Sequence, residues 1–169
     1  MEKFLAYWSA LSIIATAVMI GGFIRADKAE EVEEVSYIDE LYQDYARTIA
    51  EEYELDPHLV IAIIETESSG RRKVVSKAGC IGLMQISPKW HKKRMERLEV
   101  TDLKDAYSNI LVGCDFLAEL FAKYEDVYTV LMCYNQGEYG GAVKQAESGD
   151  YSDYARKIVN RMKELKGEE

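Results

Sequence analysis

The sequence predicts a mainly α-helical domain preceded by one membrane-spanning helix. Apolar residues recur at three- and four-residue spacing in several segments, which is the period of a helix with one buried face. No convincing run of alternating strand residues appears, although residues 74–86 have room for a short one. Residues 4–24, "FLAYWSALSIIATAVMIGGFI", are uncharged throughout. As a helix they span about 31 Å, close to the thickness of a bilayer's hydrocarbon core.

The elements follow in order. Residues 1–25 are expected to form the anchor. A cleaved signal usually carries an apolar stretch of only about 7–15 residues, and the one Ala-x-Ala, Ala15–Ala17, lies inside the run, so an uncleaved segment is favoured. Residues 26–36 form a charged, acidic linker, and residues 37–169 the folded domain. Ser36 and Asp39 resemble a capping box. Behind them Ile38, Leu41, Tyr42, Tyr45, Ala46, Ile49, Ala50 and Tyr53 make a helical stripe. Asp56 and Pro57 pair an N-cap with a first-turn proline, starting a helix that runs to Ser69 and Gly70. Residues 70–88, with three glycines and a proline, are expected to be loop. Ser87 is expected to cap a short helix over "SPKWHKKRMERL". A long amphipathic helix is expected over 102–124, another over 127–134, a turn at "NQGEYGG", and a closing helix over 151–165.

The charge of −9 is uneven: residues 27–56 hold twelve acids and two bases, whereas residues 57–169 hold seventeen of each. No net basic footprint exists to displace counterions, which argues against nucleic acid as a partner. Cys80, Cys114 and Cys133 form no CxxC motif, and His58 and His91 are far apart, so neither a metal site nor a cofactor is expected. Three small buried thiols are favoured; one disulfide and a free thiol stay open for a domain outside the cell. The basic residues of 71–77 and 89–97 read as a solvated face in preference to a patch for anionic polymers.

Chemistry concentrates at "IIETESSG", residues 63–70. Glu67 follows Ile63 by four residues and Val60 by seven, so it shares their inward face. Glu65 is turned about 200° from that face, toward the Ala62 side or solvent. Burial and the negative end of the helix dipole both favour the protonated form of Glu67, as suits a general acid.

Three blocks then carry a family resemblance. Glu67–Ser68 is followed by Ser76, Gly79, Gly82, Met84 and Gln85; Asn109, Ile110, Gly113, Phe116 and Leu117 match N-I-x-x-G-x-x-F-L; Tyr134, Asn135 and Gly137 match Y-N-x-G. In this order the blocks resemble the lytic transglycosylases, lysozyme-like enzymes that cut peptidoglycan. The resemblance implies a lysozyme-like α domain with a sugar-binding groove. It implies cleavage of the β-1,4 bond between N-acetylmuramic acid and N-acetylglucosamine, with a 1,6-anhydro end formed by one catalytic carboxylate, Glu67. It further implies that Ser76, Gln85 and Asn135 hydrogen-bond sugar or Glu67, that Met84 floors the groove, and that Tyr134 positions Glu67 or stacks on a sugar. Asp150 and Tyr154 are loosely aligned supporting residues. The expected partners are peptidoglycan strands and, through residues 4–24, the membrane, with the domain on its extracytoplasmic side. A muramidase using Asp102, Asp105 or Glu138 as second acid, and a non-catalytic wall-binding component, stay open. Glu138 and Gln136 stand where the family usually has proline and alanine.

Overall fold

The computed structural model describes residues 36–168. The anchor expected over residues 1–25 and nearly all of the linker lie outside them; within them no helix is long and apolar enough to cross a membrane. The described chain forms α1 (Glu40–Glu52), α2 (Pro57–Ser68), α3 (Lys92–Arg97), α4 (Ala106–Phe121), α5 (Val127–Gln136), a 3-10 turn (Glu138–Gly140), α6 (Ala142–Glu147) and α7 (Asp153–Leu165). In place of a strand, residues 74–86 form two isolated antiparallel bridges, Val75–Ile81 and Ile81–Ile86.

Five helices close into a ring: α1 packs on α2, α2 on α7, α7 on α5, α5 on α4, and α4 back on α1. α2 is apolar on every side, with Leu59 through Ile64 all buried, as befits a helix surrounded by others. α1, α4 and α7 instead bury one stripe each and keep a polar face in water. Leu83, Met84 and Ile86 of the loop after α2 enter the same core. Gly113 makes room there, since a Cβ on it would stand 2.3 Å from Met84 Sδ.

Several helix starts differ from expectation. Asp39, not Ser36, caps α1, accepting from the Leu41 amide, and Ser36 is drawn away by Glu65. Leu41 is half exposed, while Gln43 is buried with its amide donating to the Ile38 carbonyl. Asp56 caps α2 as expected. The helix expected at Ser87 begins at Lys92, because Pro88–Trp90 are spent in a turn closed by amides bonded to the Ser87 carbonyl. α4 begins at Ala106, where Asp105 supplies the cap. α6, six residues flanked by glycine, was not expected, because so short a segment shows no period.

Candidate active site

α2, the loop after it, the approach to α3, α4 and the end of α5 together enclose a cleft of about 780 Å³. A second hollow of about 600 Å³ is formed by residues 36–47 alone and joins no distant elements. Glu67 enters the cleft from the last turn of α2, which ends where Ser69 takes a left-handed conformation. Its Oε1 accepts a 2.6 Å hydrogen bond from the Tyr154 hydroxyl of α7. Burial pushes the Glu67 carboxyl above the usual range; the Tyr154 bond and the charge of Lys157 oppose that rise without cancelling it. Burial and the nearby Glu67 hold the Tyr154 hydroxyl protonated far above neutral pH, so it stays a donor.

Ser76, Gln85, Tyr134 and Asn135 line the cleft with Glu67. Ser76 also closes its own loop, its Oγ accepting from the Cys80 amide at 3.0 Å. Gln85 is held left-handed at φ 49°, its Nε2 donating to the Gly82 carbonyl. Tyr134 donates to the Met84 carbonyl at 2.8 Å, and its ring lies 5.3 Å from that of Phe116. Asn135 is exposed in the last turn of α5, and Gly137 ends that helix. Met84 does not floor the groove. Its side chain is fully buried against Gly113, and the Tyr134 bond ties its backbone to α5. Asp150 is exposed, accepts from Gln145 and does not line the cleft.

Of the two directions open to Glu65, the Ala62 side and solvent, it takes the dry one and is 3% exposed. Its carboxylate accepts from Arg161 Nε at 2.6 Å and from Ser36 Oγ at 2.5 Å, and its carbonyl accepts from the Tyr37 hydroxyl. α7 and the segment before α1 cover the helix side that the period leaves open.

Two more carboxylates, Glu119 and Glu138, line the cleft, and cations neutralise both. Lys123 bridges them at 2.9 and 3.1 Å, Arg94 holds Glu119 and Asp115, and Arg97 completes the chain on Asp115 at 2.6 Å. Burial pushes the Asp115 carboxyl up, but Arg97 and Arg94 outweigh it and hold it low; Lys123 and Arg94 do the same for Glu119. Arg94 is therefore largely buried, not part of a solvated basic face. Asp102 and Asp105 hold backbone amides outside the cleft. All three cysteines are free thiols; Cys114 and Cys133 are buried and Cys80 partly so.

Nothing in the periodicity singles out His91, because a lone histidine beside lysines reads as surface. In the fold it lines the cleft against the edge of Phe116, its Nδ1 accepting from Arg94 Nε. Burial, then the Arg94 charge, lower its pKa to about 4, so the imidazole is neutral at neutral pH.

The family model described as "Transglycosylase SLT domain" matches residues 44–159. The chain belongs to this family. The SLT domain thus covers α1 almost from its start and ends inside α7. A phage PRD1 protein named "Transglycosylase" is 39% identical over 97 residues, 55% of this chain and 35% of that one. The endo-type membrane-bound lytic murein transglycosylase A of Klebsiella pneumoniae strain 342 is 34% identical over 114 residues, 59% of this chain and 55% of that one. The chain thus spans between a third and about half the length of these relatives. Its fold matches the lytic transglycosylase Slt of Pseudomonas aeruginosa with a TM-score of 0.62 at 18% identity, over 75% of this chain and 25% of that one. The 70-kDa soluble lytic transglycosylase of Escherichia coli matches with a TM-score of 0.55 at 23% identity, over 75% of this chain and 22% of that one.

Proposed function

We propose that this chain is a peptidoglycan lytic transglycosylase. It cleaves the β-1,4 bond between N-acetylmuramic acid and N-acetylglucosamine and leaves a 1,6-anhydro-muramyl end. The observation that carries this is Glu67: among the described residues, of the three carboxylates that line the cleft it alone has no cation in a salt bridge, and burial favours its protonated form. Membership of the SLT family and relatives named lytic murein transglycosylases support the same reaction.

In the proposed mechanism Glu67 gives its proton to the glycosidic oxygen as the bond from the muramyl C1 breaks, and N-acetylglucosamine leaves bearing that proton on its hydroxyl. The carboxylate, held by Tyr154, then takes the proton of the muramyl C6 hydroxyl as that oxygen bonds to C1. Glu67 is thereby reprotonated and no water is consumed. One positioned group acting as acid and then base contributes about 10²–10⁴-fold, and closure within one bound sugar adds the benefit of proximity. Ser76, Gln85 and Asn135 act as sugar-binding groups, and Tyr134 braces the floor beside them. A muramidase needs a second carboxylate to serve water. Glu138, the one second-acid candidate in the cleft, is held by Lys123 and by the Tyr124 hydroxyl, which favours the single-carboxylate route.

Residues 4–24 act as a membrane anchor and residues 26–36 as a short tether in this reading, which keeps the domain on wall close to the outer face of the membrane. Names of relatives such as membrane-bound lytic murein transglycosylase E support membrane association. The test is mass spectrometry of purified peptidoglycan digested by wild type and by Glu67→Gln. Wild type should release muropeptides one water lighter than hydrolytic products, and the variant none. Reducing muramyl ends would overturn the transglycosylase assignment in favour of a hydrolase.

A further inference from the structure

Two large aromatic side chains stand out in solvent on the same cleft. Trp90 is 77% exposed and Tyr139 102% exposed, whereas such rings are usually well covered. The other exposed large apolar side chains among the described residues, Tyr37, Leu41, Val75 and Tyr107, do not line the cleft. The two rings come from different walls: Trp90 from the turn before α3, Tyr139 from the 3-10 turn after α5.

Each ring is set there by its local chain. Pro88 and the amides bonded to the Ser87 carbonyl fold the turn that carries Trp90, and Lys89 Nζ lies 4.9 Å over the indole. That cation occupies part of the π surface, and the high exposure leaves the rest open. Tyr139 follows Gly137, whose φ of 79° and ψ of 151° belong to a region that is essentially glycine's own. A Cβ on Gly137 would meet nothing within 4 Å, so the glycine is needed for its backbone path, not for space.

We propose that Trp90 and Tyr139 grip an N-acetylated amino-sugar strand at the two rims of the cleft, beyond the sugars flanking the broken bond. The chemistry is stacking. An aromatic face is electron-rich, and the C–H groups of a pyranose face, polarised by neighbouring oxygens, carry partial positive charge. Exposed apolar side chains continuous with a polar cleft are what such an amphipathic ligand covers. The grip rests on the glycan-cleaving reading above and adds a dependence on strand length: a strand that passes Glu67 and meets both rings is held more tightly than a disaccharide.

The test uses the full chain carrying Glu67→Gln, titrated calorimetrically with the disaccharide and the hexasaccharide of N-acetylglucosamine, alone and with Trp90→Leu or Tyr139→Leu added. Both rings are exposed, so their loss should leave the melting temperature essentially unchanged. Each substitution should weaken hexasaccharide binding about tenfold and disaccharide binding less than about twofold. Because Trp8 and Trp90 are the chain's two tryptophans, the emission change on adding hexasaccharide should vanish in Trp90→Phe. Hexasaccharide affinity unchanged in both leucine variants, with wild type still producing anhydro ends, overturns the grip and leaves the reaction standing. Equal weakening for both sugars overturns its placement beyond the scission point. Failure to bind either sugar, with no anhydro product from wild type, overturns both readings.

Discussion

Replacing Arg161 by Met should be among the most damaging single changes outside the cleft. Glu65 is 3% exposed, and Arg161 Nε lies 2.6 Å from its Oε2. Methionine keeps much of the side-chain volume but strands a carboxylate in a dry interior, with Ser36 as its remaining side-chain donor. Breaking a buried pair by removing one partner costs about 3–5 kcal/mol, because the surviving charge has lost its water and its counterion. For a domain of this size each kcal/mol moves Tm by about 3–5 °C, so a fall of roughly 10–20 °C is expected by far-UV circular dichroism. The double variant Glu65→Leu with Arg161→Met removes both charges, and it should recover most of that loss. Specific activity below the melting range should stay within about twofold, because Glu65 is turned about 200° from Glu67 on the helix. A loss below about 1 kcal/mol, or a double variant no more stable than the single one, would refute the claim that this pair is a buried clasp.

Glu67→Gln should raise Tm at neutral pH. The folded-state pKa of Glu67 is above its ordinary value, so the stability it contributes is present below about pH 4.5 and lost as pH rises through the folded value. Glutamine removes that loss, and the gain over wild type should shrink to nothing in melts at low pH. Tyr154→Phe deletes the donor on Glu67 Oε1; cleavage at neutral pH should fall about 10–100-fold, with the limb of the pH–rate profile governed by Glu67 moving to higher pH. Asn109→Ala leaves the Met84 amide and the Leu103 carbonyl without their side-chain partner, while the Ile81 carbonyl keeps the Ile86 amide, and urea unfolding should show a loss of about 2–3 kcal/mol.

The helical scaffold was legible where one buried face repeats over several turns, as in α1, α4 and α7, and where Asp56–Pro57 marks the start of α2. The failures are local contests. Ser36 reads as a cap, but its hydroxyl donates to the buried Glu65 carboxylate while its Oγ accepts from the Ile38 amide, which leaves Asp39 to cap α1. The period left Glu65 between the Ala62 side and solvent because periodicity assumes one wet side, and α2 has none. Of the shared motifs, the loop after Glu67 and the Y-N-x-G block bring Ser76, Gln85, Tyr134 and Asn135 to one cleft. The N-I-x-x-G block is architecture instead. Asn109 pins the loop through three backbone hydrogen bonds, and Gly113 admits Met84 beside it. His91 was illegible because its setting depends on Phe116, brought to it from α4, and on Arg94, which ion pairs to Asp115 and Glu119 hold against it.

The ion-pair chain on the far wall bears on how Glu67 can work as an acid. Carboxylates crowding a site raise one another's pKa, and an enzyme can exploit that repulsion. Here three carboxylates, Asp115, Glu119 and Glu138, are matched by Arg94, Arg97 and Lys123, so that wall is near neutral. Burial is what lifts the Glu67 pKa, and no neighbouring acid contributes to the rise. A shift made by desolvation persists at high ionic strength, whereas one made by exposed like charges is screened within about a Debye length. The raised pKa of Glu67 is then a property of how the end of α2 is buried in the cleft beside Tyr154 of α7. Changes of local salt and surface charge disturb such an acid less than one tuned by its neighbours.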